Sequence, residues 1–340
     1  MRLLVFTQKV DKTESILGFF HGWLIELSKK VESIEVICLW KGDFDLPSNV
    51  TVYSLGKERG VSRLVYLKNL YHYLFLIAGS YDKVFIHMNQ EYVLLAGLYW
   101  KLKNIPVYMW RNHGKGSLAT RIAVALSTKV FCTSTDSFTA RFKKTVIMPA
   151  GINTDMFKPN QNVIRKKYSV CMVGRIAPVK HIEIGISAVS YLILSGTQVS
   201  LTIIGSPLAK DFAYYERLKT QVNELNLSPS VRFLEEVSPD KISEIYGNHE
   251  ICLNLTESGS FDKTIVEAAA CGTLPLVSNI SLTPLLPEEC LTEATPEAIG
   301  NSIQKLLNPH QRVETQTKLE LFVKFQSLTT LISKLVVEIA

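Results

Sequence analysis

Short apolar runs alternate with helical stretches along this chain, which predicts an α/β fold made of two doubly wound parallel sheets. Three observations carry that expectation. Runs rich in Val, Ile, Leu and Phe alternate with stretches whose apolar residues recur at helical spacing. The alternation pauses once, over residues 149–165, where Pro149, Gly151, Pro159, Asn160 and Asn162 cluster, and then restarts. The 340 residues give room for two domains of ordinary size. Strands alternating with helices make parallel sheets covered on both faces. The expected layout is a first domain over 1–150, a linker over 151–165, a second domain over 166–311 and a C-terminal helix over 312–340.

In order, residues 2–6 read as a buried strand, followed by a polar loop over 7–18. Phe19, Phe20, Trp23, Leu24 and Leu27 fall at helical spacing, so 19–30 is a helix. Residues 34–38, 51–55, 83–87, 106–110, 129–133 and 145–148 read as strands, with helices over 61–78, 91–103 and 117–127. After the pause, 168–173 is a strand ending in Gly174 and 181–195 is helical. Residues 199–204 form a strand ending in Gly205, and 211–225 is helical. Strands over 231–234, 251–255 and 274–277 follow, with helices over 239–247 and 263–271. Leu319, Phe322, Phe325, Leu328, Leu331, Ile332, Leu335 and Ile339 give 312–340 the pattern of one long helix.

Composition narrows the class. Hydrophobic residues make up 47% and charged residues 20%, which excludes a disordered chain, a collagen and a coiled coil. No stretch approaches the roughly 18 apolar residues of a spanning helix. Residues 1–10 carry no long hydrophobic stretch, so no secretory signal is expected. The cysteines, Cys38, Cys132, Cys171, Cys252, Cys271 and Cys290, are scattered without a CxxC pair. They suit neither a zinc site nor a disulfide framework and read as buried free thiols, with a reducing cytoplasm as the expected location.

Charge is uneven. Residues 1–160 hold 21 Lys+Arg against 12 Asp+Glu, hence +9, and the remainder is −3 of the total +6. The basic half fits either ordinary solvated charge or contact with an anionic surface, such as phospholipid headgroups or a phosphorylated acceptor. The basic residues are dispersed and no nucleic-acid motif accompanies them, so no nucleic-acid partner is expected. Residues 61–77 mix Arg63, Lys68 and His72 with Leu64, Val65, Leu67, Leu70, Tyr71, Leu74 and Phe75. They suit a helix buried against the sheet or one lying on a membrane surface.

Two segments carry chemistry. The first, Gly259-Ser-Phe-Asp-Lys-Thr-Ile-Val-Glu-Ala-Ala-Ala-Cys-Gly272, follows a strand and opens a helix, with Asp262 suited to N-cap it and Gly272 to end it. A small-residue turn into a helix offers backbone N–H groups to an anion, or is simply a turn. Glu267, in the first turns of that helix, is placed to hold a vicinal diol such as a ribose. The second, Met172-Val-Gly-Arg-Ile-Ala-Pro-Val-Lys180, puts Arg175 and Lys180 just past a strand end. Doubly wound sheets bind ligands there. A planar guanidinium with a point charge suits a pyrophosphate.

Together these segments resemble the retaining glycosyltransferases of family 4, which have the GT-B architecture of two Rossmann-like domains facing a central cleft. Val173-Gly-Arg and Lys180 look like that family's G-R-x5-K segment. Ile203-Ile-Gly-Ser-Pro207 is similar to its glycine turn, and 259–272 to its E-x7-E donor motif. Pro149-Ala-Gly-Ile-Asn-Thr-Asp-Met-Phe-Lys-Pro159 resembles its inter-domain linker. One departure stands out: Gly259 occupies the position of the first motif glutamate, with Glu257 two residues upstream. This matches a Gly-Ser-x-Asp-Lys variant found in some relatives.

The resemblance implies transfer of a hexosyl group from a nucleoside diphosphate sugar to an acceptor hydroxyl, with retention and without a tightly bound metal. It implies Arg175 and Lys180 on the diphosphate, and His113 on the donor sugar. Gly18, Gly205, Gly259, Ser260, Phe261, Asp262, Lys263, Thr264 and Glu267 are implied to contact the donor. The final helix is expected to cross back to the first domain. The acceptor is expected to be a glycan or lipid-linked sugar, and the protein to be cytoplasmic or peripheral at the inner face of a membrane. A non-catalytic subunit with the same fold, or a sugar-nucleotide epimerase, would share the architecture. A dinucleotide oxidoreductase is disfavoured, since no G-x-G-x-x-G follows any strand.

Overall fold

A computed structural model describes residues 1–14, 17–160, 163–257 and 261–340. It begins with β1 (Arg2–Val10), α1 (Phe19–Ser28), β2 (Ser33–Lys41), β3 (Val50–Ser54) and α2 (Arg63–Leu76). Then come β4 (Lys83–His87), α3 (Glu91–Leu102), β5 (Val107–Trp110), α4 (Leu118–Leu126), β6 (Lys129–Cys132) and β7 (Thr145–Ile147). The seven strands form one sheet in the order β3-β2-β1-β4-β5-β6-β7, with every pairing parallel. Alternate residues of β1 feed opposite faces, as strand pleating requires. Leu3 and Val5 pack under α1, whereas Leu4 and Phe6 join Leu70, Trp100 and Ala123 on the other face.

The second sheet runs β10-β9-β8-β11-β12, again all parallel. Its elements are β8 (Ser169–Val173), α5 (Ile182–Leu194), β9 (Ser200–Ile204), α6 (Phe212–Glu224) and β10 (Val231–Leu234). They continue with α7 (Pro239–Asn248), β11 (Ile251–Asn254), α8 (Lys263–Ala270), β12 (Leu274–Val277) and α9 (Pro296–Leu306). Helix α5 packs on α6 and α9, and α8 on α7 and the following helix, α10 (Pro309–Gln326). The chain ends in α11 (Leu328–Ile339).

Among the described residues, the chain divides into a unit holding 1–153, Phe261 and 328–340, and a second holding 154–257 and 262–327. The region read as one long helix over 312–340 is two helices. Ser327 is extended (φ −67, ψ 156), and the Leu328 N–H donates to the Ile152 carbonyl at 2.7 Å instead of continuing a helical ladder. Buried Leu328, Leu331, Ile332, Leu335 and Ile339 then complete the core beneath α1. The chain also departs from expectation at its start. The polar segment after Phe6 stays in the sheet through Val10, because β2 runs equally far and pairs Lys9 with Trp40 and Val10 with Lys41. All six cysteines are buried free thiols.

Candidate active site

Strands β9 and β11 flank β8, and connections leave in opposite senses on its two sides. The crevice at the carboxyl ends of β8 and β11 is therefore the topological switch point of the second sheet. Gly174, Arg175, Lys180, Asn254 and Thr256 line it. Gly174 (φ +134) and Gly205 (φ +144) end β8 and β9 in backbone conformations that side chains rarely adopt. A Cβ on Gly205 would lie 2.0 Å from the Gly174 carbonyl oxygen, so the two turns touch only because residue 205 is glycine.

Lys180 follows a short turn after Pro178 and reaches back across the strand ends. Its ammonium is ion-paired with Asp262 and donates to Thr256 Oγ1 at 3.0 Å. Asp262 caps α8 and is the hub. Its Oδ1 accepts from the Thr264 N–H (3.3 Å) and hydroxyl (3.0 Å). Its Oδ2 accepts from Asn254 Nδ2 (3.0 Å), Thr256 Oγ1 (3.2 Å) and Lys180. Burial alone would raise this carboxyl. The Lys180 charge and the donors from Lys180, Asn254 and Thr264 outweigh burial and hold it below the ordinary value. Arg175, by contrast, extends into solvent.

One turn into α8, burial lowers the Lys263 ammonium and raises the Glu267 carboxyl, and the opposite charges partly offset both shifts. Glu267 Oε2 accepts the hydroxyl of the fully buried Tyr246 at 3.2 Å. Thr264 Oγ1 accepts from Asn254 Nδ2 at 2.9 Å, and Phe261 is buried. Gly259 and Ser260 lie outside the described residues. Glu257 is mostly exposed, 3.2 Å from His181 Nε2. Among the described residues, no group of three His, Cys, Asp or Glu side chains could hold a metal ion.

The other two expected site residues lie in the first unit. Gly18 begins α1 at φ −56, and its missing Cβ leaves room for the Glu14 carbonyl, which its N–H meets at 3.0 Å. His113 is exposed after β5, its Nδ1 2.9 Å from the Lys115 backbone nitrogen and 3.0 Å from the Lys115 carbonyl oxygen. Sequence reasoning missed Asn254, Thr256 and Tyr246. A polar pair closing an otherwise apolar strand was the available signal for the first two; Tyr246 gave none, being one aromatic on a helix face.

Residues 154–315 match the family model of glycosyl transferases group 1. That span holds the whole network around Lys180 and Asp262. Similar proteins include the D-inositol 3-phosphate glycosyltransferase of Acidothermus cellulolyticus, 24% identical over 185 residues, 49% of this chain and 41% of that protein. The enzyme of the same name from Segniliparus rotundus is 21% identical over 260 residues, 71% of this chain and 58% of that protein. The matches thus span less than two thirds of these relatives. Among solved structures, Anabaena HepE in complex with UDP and glucose superposes with a TM-score of 0.76 at 18% identity, covering 98% of each chain. WaaG, a glycosyltransferase involved in lipopolysaccharide biosynthesis, gives 0.68 at 14% identity, covering 99% of each. The fold is that of GT-B glycosyltransferases: two α/β Rossmann-like units, each on a parallel sheet.

Proposed function

We propose that this protein transfers a hexosyl group, with retention of configuration, from a nucleoside diphosphate sugar to a hydroxyl of a glycan or lipid-linked acceptor. Polysaccharide or glycolipid assembly is the setting this reading suggests. The observation that carries it is Lys180, held by Asp262 and Thr256 in the switch-point crevice that Arg175 also lines, within the span that matches the group 1 family. An ammonium has three N–H donors. Asp262 and Thr256 engage two, and the third is left for a diphosphate oxygen. Arg175 adds a planar fork. Both stabilise charge that develops on the leaving diphosphate as the C1–O bond breaks. The acceptor oxygen bonds C1, and its proton passes to the leaving phosphate. Glu267 is assigned to the ribose diol and His113 to the sugar. HepE, of like fold, has been solved with UDP and with UDP-glucose, which supports a UDP-sugar as the first donor to test.

The test is a thermal-shift screen of UDP-, GDP- and ADP-sugars, followed by NMR of the product anomer. A donor at 100 times its dissociation constant should stabilise by about 2.7 kcal/mol. Gly259, standing in place of a motif glutamate, gives a non-catalytic subunit some support. That alternative would bind donor without hydrolysing or transferring it, whereas an epimerase would convert donor alone.

A further inference from the structure

Helix α2 turns a narrow face to the core. Only Leu70 and Leu74 are buried among its residues. Leu64, Leu67, Tyr71 and Phe75 recur three and four residues apart and make an outward stripe, with Leu64 79% and Phe75 68% exposed. Helix α3 lies alongside: the Tyr71 hydroxyl donates to the Leu95 carbonyl at 3.1 Å, and the Phe75 and Tyr99 rings meet at 6.4 Å. It presents a stripe of its own, Leu95, Leu98 and Leu102, the last two 62% and 76% exposed. Helix α4, packed on α3, adds exposed Leu118 and Ile122. Soluble proteins scatter exposed apolar residues singly; stripes on three neighbouring helices are another matter.

The charges around these stripes are mostly positive. Residues 61–130 hold nine Lys and Arg against Asp82 and Glu91. Arg63, Lys68, Lys101 and Lys103 are exposed, and none forms a salt bridge among the described residues. A second copy of this chain would set like charges against each other. An anionic bilayer offers what this face fits: phosphate groups for the cations and acyl chains for the leucines. We propose that the α2–α3–α4 face docks on anionic membrane. The proposal stands on this face alone, so it survives if the transferase reading fails.

The test is co-sedimentation of the full chain with phosphatidylglycerol vesicles and with phosphatidylcholine vesicles, at low and high salt. Binding to the anionic vesicles alone, released by salt, is expected. Leu98→Ser with Leu102→Ser and Phe75→Ser should lower the bound fraction at least about tenfold. Arg63→Gln with Lys68→Gln and Lys101→Gln should do the same with unchanged melting temperature, since these side chains are exposed. No binding to anionic vesicles, or binding that both triple variants retain, overturns the proposal. So does a dimer in sedimentation velocity that the leucine variants abolish, coupled with indifference to vesicles; that outcome assigns the face to a second copy.

Discussion

The same point in two similar sheets is built in opposite ways. Both are doubly wound, and both have a switch point where ligands can enter, between β1 and β4 in the first unit and between β8 and β11 in the second. In the first, the β4 end carries His87, stacked on Phe20 at 4.1 Å with Trp23 tilted against it at 5.4 Å. Thr7 Oγ1 lies 3.3 Å from His87 Nδ1, and every one of these groups is buried. The crevice is plugged by rings from α1. In the second, the corresponding ends carry glycine turns, a cation and its carboxylate. Fold alone therefore does not make a switch point a site; the residues at the strand ends decide.

Removing the plug should have the largest effect on stability and none on donor binding. Phe20→Ala leaves a cavity in the first unit and should cost about 3–5 kcal/mol. Nucleotide affinity, measured where the variant remains folded, should not change. Lys180→Ala should cost about 3 kcal/mol, because a largely buried Asp262 carboxylate loses its cation. It should also lower kcat/KM at least about tenfold. Adding Asp262→Asn should restore most of the stability and none of the activity. If the double variant recovers activity, Lys180 is a structural cation and the contrast between the crevices fails.

The elements that frame both crevices were legible in the sequence, but the rings that fill the first were not. Apolar periodicity located nearly every strand and helix, because both sheets are buried on both faces and their strands read as unbroken Val, Ile and Leu runs. Ends were less legible. The polar residues after Phe6 continue β1 because of a neighbouring strand, and Ser327 breaks the tail because Ile152, far along the chain, captures the next N–H. Arg175 and Lys180 were found from spacing after a strand. The partner of Lys180 was not, since a capping Asp262 looks the same whether or not a lysine reaches it. Likewise, 61–77 could be read as buried or exposed until burial of Leu70 and Leu74 fixed which face turns inward.

Two smaller effects sharpen the comparison. Gly205→Ala forces a Cβ against the Gly174 carbonyl at a positive φ, and should cost about 1–3 kcal/mol while displacing the turn before Arg175. Thermal melts and donor titrations should shift together. Acid should act through the second crevice. The Asp262 carboxyl is held below its ordinary value of about 3.9. The unfolded chain therefore takes up the proton first, so the stability Asp262 contributes is present above about pH 4 and is lost as pH falls through its lower folded value. Asp262→Asn should flatten the acid limb of a urea-stability profile.

Calorimetry of UDP binding to the wild type and to Arg175→Ala is the most direct test of the second crevice as the donor diphosphate site. Arg175 is exposed, so its loss should leave the melting temperature unchanged. A charge-assisted hydrogen bond contributes roughly 1.5–3 kcal/mol, so UDP affinity should fall at least about tenfold. Equal affinity in the two proteins would contradict the account.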